Sequence, residues 1–349
     1  MPTIDAAALL AFSCRVLRAA GMPDGDAEVT AGLLVEANLR GVDSHGVLRL
    51  IQYADSIAAG DVEGSPEVRV LSRTGSHALV DAGGGYGFVP TTLACDVAGA
   101  LADEHGVGVV GVRDSHHFGM GGPYARRIAA AGNVGMVLTN AGPAMAPAGV
   151  RVPVVGNNPL AIAAPRRAPQ PPLVLDMALS QTAFGRVRLA AAEGREIPLG
   201  WALDSDGQPT TDARRALEAQ LLAPVGGHKG LGLALMLDVL AGALTGSPVG
   251  ADASTHGQRA GGVGHLVLAL SPQLFVEREA FLDAVERFAD GIKLHDGPEA
   301  EVLLPGERGD RSAAQRRADG VDLSAELALQ LDALARRLGV DPLVPAGGA

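Results

Sequence analysis

Through the first sixty positions apolar residues recur at spacings of three and four, the period of helices. In the first helix Leu9, Phe12, Val16, Leu17 and Ala20 share a face, Thr3 is placed to cap the start, and Gly21 with Pro23 ends it. Asp24 is expected to cap a second helix carrying Val29, Leu33, Leu34 and Ala37, which Gly41 stops. A third, over residues 43–56 (DSHGVLRLIQYADS), turns Val47, Leu50, Ile51, Ala54, Ile57 and Ala58 inward. His45, Arg49, Gln52, Tyr53 and Ser56 then fall on the opposite face. A last helix with Leu327, Leu331, Leu334 and Leu338 has its natural place against these three.

From Pro66 the period changes. Val68, Val70 and residues 78–80 read as short strands, the glycine cluster 83–87 as a turn, 89–104 as a helix ended by Gly106, and 106–112 as a buried strand. That strand leads into DSHHFG, 114–119. A helix over 123–131 returns to a strand ending at Thr139 and Asn140, and apolar runs at 156–165, 172–180 and 265–270 continue the pattern. Residues 199–212 read as turn-rich and exposed, and 226–240 as a glycine-rich loop leading into a helix. Strands alternating with helices make the fold class α/β.

Composition narrows the function. A formal charge of −11 over 349 residues argues against nucleic acid or an anionic membrane as the main partner, while leaving room for a basic pocket that takes a small anion. Cys14 and Cys95 lie far apart in helical patterns, with no disulfide framework or metal spacing, which suits a reducing cytosol. The start of the chain has no basic region before an apolar one, so no signal peptide is expected. The apolar stretch 231–244 is interrupted by Asp238 and too short to span a bilayer, so the expected location is cytoplasmic.

Four stretches carry candidate chemistry. A solvated helix face is usually filled with Glu, Lys and Gln, but the third helix offers His45, Arg49 and Tyr53 at spacing i, i+4, i+8, which points to a site lining. Gly106, Gly108 and Gly111 spell G-x-G-x-x-G, yet they follow a helix and lie inside a strand, the reverse of a dinucleotide fingerprint. Asp114, His116 and His117 stand where α/β proteins keep polar chemistry; adjacent residues on extended chain point opposite ways, so one histidine faces any given ligand. The loop at 226–232, with Lys229, suits an anion at a helix N-terminus or serves only to start the helix. A metal hydrolase built on Asp43, His45, Asp114, His116 and His117 is a rival, without HExxH or paired-cysteine spacing to support it. A catalytically silent binding protein is another.

The motifs DSHGVLRLIQY, SHHFG, VLTN, GNNPLAIAAP, VLDMALS, IPLGWALD, GHKGLGLAL and PGE, in that order over residues 9–340, resemble the type-2 malate/L-lactate dehydrogenase family of nicotinamide-dependent 2-oxo-acid reductases. Its members include ureidoglycolate and sulfolactate dehydrogenases, 2,3-diketogulonate reductase and piperideine-2-carboxylate reductase. The resemblance implies a non-Rossmann nicotinamide-binding lobe with a mixed sheet over 66–309, and a helical lobe from 1–65 with 310–345. It also implies NAD or NADP as cofactor, usually a homodimer, and a small 2-hydroxy or 2-oxo acid, or a cyclic imino acid, as substrate. Carried over by position, it makes His45, His117 and Arg49 catalytic and puts Tyr53, Thr139 and Asn140 near the substrate. Asp176, Met177, Ala178, Ser180, Thr182, His228, Lys229, Pro305, Gly306 and Glu307 fall in the segments that hold the cofactor, and no metal is implied. Gly83–Gly84, His116, Leu231 and Arg186 depart from the family's usual Asn, Asn, Tyr and Lys. Arg49 suits a carboxylate clamp by its planar fork, and His45 or His117 suits the proton. A rigid helical position beside Arg49 favours His45 as the acid, with His117 polarising the carbonyl. Thr139 and Asn140 either hydrogen-bond the substrate or cap their strand.

Overall fold

In the computed structural model, which describes residues 2–255, 262–295, 297 and 301–343, the two ends of the chain meet. Thr3 pairs across the molecule: β1 (Thr3–Ile4) runs antiparallel to β12 (Val321–Asp322), and Thr3 Oγ1 donates to Asp322 at 2.6 Å. The cap of α1 (Ala6–Ala19) therefore passes from Thr3 to Asp5, whose carboxylate accepts from the Ala7 and Ala8 N–H groups. Asp24 is likewise the first residue of α2 (Asp24–Leu39), preceded by Pro23; with Asp26 it puts negative charge on the positive end of the helix.

The third helix is shorter than its pattern. Residues 43–45 form a 3-10 turn, Gly46 is extended, and α3 runs Arg49–Ala59. The cause lies in α2. A Cβ on Gly46 would fall 2.2 Å from Asn38 Oδ1, which accepts the Val47 N–H at 2.8 Å. His45 is thus on a turn, not on the helix that carries Arg49 and Tyr53. Tyr53 and Ser56 are buried and Ala58 is exposed, against the expected faces, because α3 is covered on two sides. One is the helical core, where Leu9, Phe12, Leu17, Leu34 and Leu50 pack with Leu331 and Leu334 of α11 (Ala325–Leu338). The other is formed by Tyr86 and Phe88, whose rings lie 4.3 and 5.7 Å from that of Tyr53. Each such buried leucine contributes about 1.5–3 kcal/mol, which is why the last helix lies on the first three. Residues 344–345 of the helical segment expected from the sequence lie outside the described residues.

Seven strands form the mixed sheet, in the order β2 (Arg69–Thr74), β3 (His77–Asp81), β4 (Val107–Ser115), β11 (Val263–Leu270), β5 (Val134–Thr139), β6 (Leu160–Ala164), β7 (Leu173–Met177). Only β3 and β4 are parallel. β11 sits between β4 and β5 and is buried on both faces, hence its near-continuous apolar run. α4 (Phe88–His105) and α5 (Gly122–Ala130) cover one face. Gly108 explains itself here: a Cβ would stand 2.0 Å from the Ala98 carbonyl of α4, so this glycine serves helix–sheet contact.

The other face carries α8 (His228–Ala241) together with α6 (Phe184–Ala192) and α7 (Ala213–Ala219). The stretch expected to be exposed turns is partly core: β8 (Ala202–Leu203), β9 (Pro209–Thr210) and β10 (Leu221–Leu222) form a small sheet, with Ala202 and Leu203 buried. By length and composition His228–Thr245 is apolar enough to cross a membrane. Here it lies on β5 and β11 through Leu237 and Ala241, with Leu233, Leu235, Met236 and Val239 exposed. Two further helices, α9 (Arg278–Lys293) and α10 (Glu307–Asp319), complete the fold.

Candidate active site

A cleft of about 540 Å³ opens between the helical core and the sheet, within the size range of small-ligand sites. His45, Arg49, His117, Thr139 and Asn140 all line it, together with the start of α6. The loop after β4 brings His117 there, tied by its backbone to its surroundings. His116 N–H donates to the Gly85 carbonyl, Gly87 N–H to that of His117, and His117 N–H to that of Thr255, at 3.0, 3.0 and 3.1 Å. The adjacent histidines fall on opposite sides. His116 is 5 % exposed and lines a second pocket with Asp61, Glu63 and Asp114. Asp43 is spent on Arg316 and Asn38, each at 2.7 Å. The residues of the supposed metal cluster are therefore dispersed, and among the described residues no three His, Cys, Asp or Glu side chains come together to hold an ion.

Inside the cleft the imidazoles of His45 and His117 stack at 5.6 Å. Ser44 Oγ lies 2.9 Å from His45 Nδ1. Arg49 donates from Nε to the Ser44 carbonyl at 2.8 Å and from Nη1 to Gln52 at 2.9 Å, and it has no carboxylate partner among the described residues. Burial, and after it the Arg49 charge, push the His45 pKa down to about 4, so this ring is neutral at physiological pH. Tyr53 does not line the cleft. It is fully buried behind it, with its hydroxyl 2.5 Å from His117 Nδ1, and burial keeps the phenol protonated. Gly119 N–H also donates to that nitrogen, at 3.3 Å, so the proton of neutral His117 belongs on Nε2.

Thr139 and Asn140 spend their side chains on the fold. Asn140 donates to Asp238 and to the Pro248 carbonyl, each at 2.8 Å, and accepts from Gly264 N–H at 2.9 Å. Of the two roles open for it, capping takes every polar atom. Thr139 Oγ1 donates toward the carbonyls of Asn140 and Gly264 and accepts from His265 Nδ1 at 2.7 Å. His265 was not singled out in the sequence. It is completely buried, accepts from Ser115 Oγ at 2.8 Å and stacks on Phe118 at 4.8 Å. Burial pushes its pKa down to about 3. Its one signal was an imidazole heading an apolar strand.

The candidate cofactor residues gather beside this cleft, at the end of β7. Asp176 Oδ2 accepts from Gly122 N–H at 2.7 Å, and although the residue is solvent-exposed, desolvation by the protein around its carboxyl raises its pKa to about 6. Met177 and Ala178 follow, half-buried, and then Ser180 and Thr182, whose hydroxyls are buried without a hydrogen-bond partner among the described residues. Val225 N–H donates to the Leu179 carbonyl at 2.9 Å, which brings Gly226, Gly227, His228 and Lys229 to the same place, exposed at the start of α8. Val174 N–H donates to the Pro305 carbonyl at 2.9 Å, holding Pro305, Gly306 and Glu307 along β7. Glu307 pairs with Lys293 at 2.6 Å.

The profile of the malate/L-lactate dehydrogenase family matches residues 4–332. The chain belongs to this family. Among its dehydrogenase relatives, the malate dehydrogenase of Pyrococcus horikoshii is 35% identical over 344 residues, covering 96% of this chain and 95% of that one. The (2R)-3-sulfolactate dehydrogenase (NADP(+)) of Chromohalobacter salexigens is 40% identical, covering 91% and 94%. The Δ1-pyrroline-2-carboxylate/Δ1-piperideine-2-carboxylate reductase of Pseudomonas putida is 34% identical, covering 91% and 92%. The solved sulfolactate dehydrogenase of Methanocaldococcus jannaschii superposes with a TM-score of 0.90 at 34% identity, covering 97% and 98%. The oxidoreductase class, the 2-hydroxy-acid chemistry and the nicotinamide cofactor expected from the sequence agree with these names.

Proposed function

We propose that this malate/L-lactate dehydrogenase family member interconverts a small 2-hydroxy acid and its 2-oxo acid with NAD or NADP, in the cleft between Arg49 and His117. The observation that carries this is Arg49: a guanidinium fixed by Ser44 and Gln52, without a carboxylate partner among the described residues, beside two imidazoles. Arg49 binds the substrate carboxylate through its remaining donors. His117 holds the working proton at Nε2. Tyr53, kept neutral, can donate to Nδ1 or accept from it, and so orients the ring in either protonation state. His45, neutral beside Arg49, hydrogen-bonds the substrate oxygen without supplying charge. This exchanges the roles that a rigid helical His45 suggested, since His45 stands on a turn.

The residues at the end of β7 fit the cofactor. The orphaned hydroxyls of Ser180 and Thr182 are buried polar groups waiting for a partner. Asp176 keeps one carboxylate oxygen unused by Gly122, and the N–H groups at the start of α8, with Lys229, suit phosphate. When bound, a nicotinamide supplies or accepts hydride at its C4. In this reading the described residues of 1–65 and 310–345 form a helical lobe closing on an α/β lobe made of the described residues of 66–309. The exposed Leu233, Leu235, Met236 and Val239 of α8 support a homodimer through that face, and the free buried Cys14 and Cys95 suit a cytoplasmic enzyme. The test is a panel of 2-oxo acids and cyclic imines followed by loss of reduced cofactor, with and without chelator. Turnover of a 2-oxo acid unaffected by chelator is expected; turnover of cyclic imines alone, or none, overturns the reading.

A further inference from the structure

The cleft carries more positive charge than one carboxylate needs. In a chain of 39 acidic and 28 basic residues, its described lining contains no Asp, Glu or Lys. Its fixed charges are two guanidiniums, Arg49 and Arg188, and neither meets a carboxylate among the described residues. Several arginines elsewhere are matched, Arg40 by Glu36 and Asp310, Arg166 by Glu286 and Arg316 by Asp43.

The helix α6 brings Arg188 to this place. Val187 and Ala190 bury one face of the helix, while Phe184, Gly185 and Arg188 line the cleft with the other. Its first turn lies against the Ser44 turn, where a Cβ on Gly185 would stand 4.0 Å from Ser44 Cβ. Ser44 in turn holds Arg49 Nε and touches His45 Nδ1. The elements that carry the two cations therefore meet at Ser44. Arg188 lines the same cleft as Arg49 and His117, whereas the segments assigned to the cofactor (176–182, 228–229 and 305–307) lie beside it.

Resting on the function proposed above, we infer that Arg188 is the specificity residue for a second anionic group, and that the substrates are dianionic acids bearing a carboxylate or sulfonate beyond C2. A monoanion neutralises Arg49 alone. A dianion neutralises both guanidiniums in a site where no other counter-charge competes. Arg188 is solvent-exposed and without a hydrogen-bond partner among the described residues, so its replacement leaves no buried group unpaired.

The experiment compares kcat/KM of the wild type, Arg188→Lys and Arg188→Gln for oxaloacetate, 3-sulfopyruvate and pyruvate, with one cofactor. A charge-assisted hydrogen bond corresponds to about ten- to a hundredfold in this ratio. The wild type should favour both dianions over pyruvate by that factor, Arg188→Gln should lose at least tenfold of the preference, and Arg188→Lys should keep part of it. Thermal melts supply a readout without turnover: succinate should stabilise the wild type more than propionate does, and Arg188→Gln should erase the difference. A preference that survives in Arg188→Gln, with or without a raised cofactor KM, overturns the assignment. Equal use of pyruvate and the dianions by the wild type also overturns it while leaving hydride transfer intact. If the wild type reduces none of the three acids, the reading on which it rests fails instead.

Discussion

Replacing Arg49 by lysine separates the shape of the cation from its charge. A guanidinium has five N–H donors. The Ser44 carbonyl takes one at 2.8 Å and Gln52 another at 2.9 Å, which leaves about three for a ligand. An ammonium has its donors on a single atom and cannot keep both anchors while presenting two parallel bonds to a carboxylate. The variant loses at least one charge-assisted hydrogen bond, about 1.5–3 kcal/mol, so kcat/KM for a 2-oxo acid should fall about ten- to a hundredfold. Because the carboxylate is held before and during the reaction, the loss should fall mainly on the KM for the acid, with the cofactor KM retained. Arg49→Gln adds a second readout. The Arg49 charge is the lesser of the two causes that hold His45 near 4, so an NMR titration of the His45 ring should move upward and stop short of the ordinary 6.5. Unchanged kinetics in Arg49→Lys would refute the clamp, and a His45 titration indifferent to Arg49→Gln would contradict the coupling of the two side chains.

Other outcomes follow from the same contacts. His265 has its pKa near 3 when folded and 6.5 otherwise, so the unfolded chain binds the proton first. Its stabilising share is whole above about 6.5 and is lost as pH falls toward the folded value, by up to about 1.4 kcal/mol per pH unit; denaturant melts at several pH values should show His265→Gln flattening that slope. Ser180→Ala with Thr182→Val removes hydroxyls that have no partner, so unliganded melting should not drop while cofactor affinity falls about tenfold, by the worth of one or two hydrogen bonds. Lys229→Ala should weaken cofactor binding more at low salt than at high salt, and equal weakening at both would contradict a phosphate contact. In paired pH–rate profiles, His117→Ala should lose the limb near neutrality and His45→Ala should keep it; the opposite pattern restores His45 as the acid.

Period and punctuation made α1 to α5, α8, α11 and the strands of the large sheet legible, because each pattern is local, whereas α6, α7, α9 and α10 were not anticipated. What stayed hidden was set by distant partners. Gly46 breaks the third helix because Asn38 of α2 occupies the space its side chain would need. The Thr3 cap failed because Thr3 pairs with Asp322 at the far end of the chain. Tyr53 looked outward because one apolar stripe implies one buried face, whereas α3 is covered on two. At the site, His45, Arg49 and His117 were legible as residue types out of keeping with their surroundings. His265 and Arg188 were not: one is a single imidazole inside an apolar strand, the other one arginine on a short helix, and only their neighbours in space mark them.

The central claim is hydride transfer to C2 of an acid held in this cleft, and isotope transfer tests it most directly. Cofactor carrying deuterium at both C4 positions of the reduced nicotinamide is incubated with the acid that the panel identifies, and the product is analysed by mass spectrometry and NMR. One deuterium at C2 of the 2-hydroxy acid, retained in ordinary water, is the predicted result. Product formed in stoichiometric amount with hydrogen from solvent at C2, or cofactor consumed with no label in the product, would contradict it.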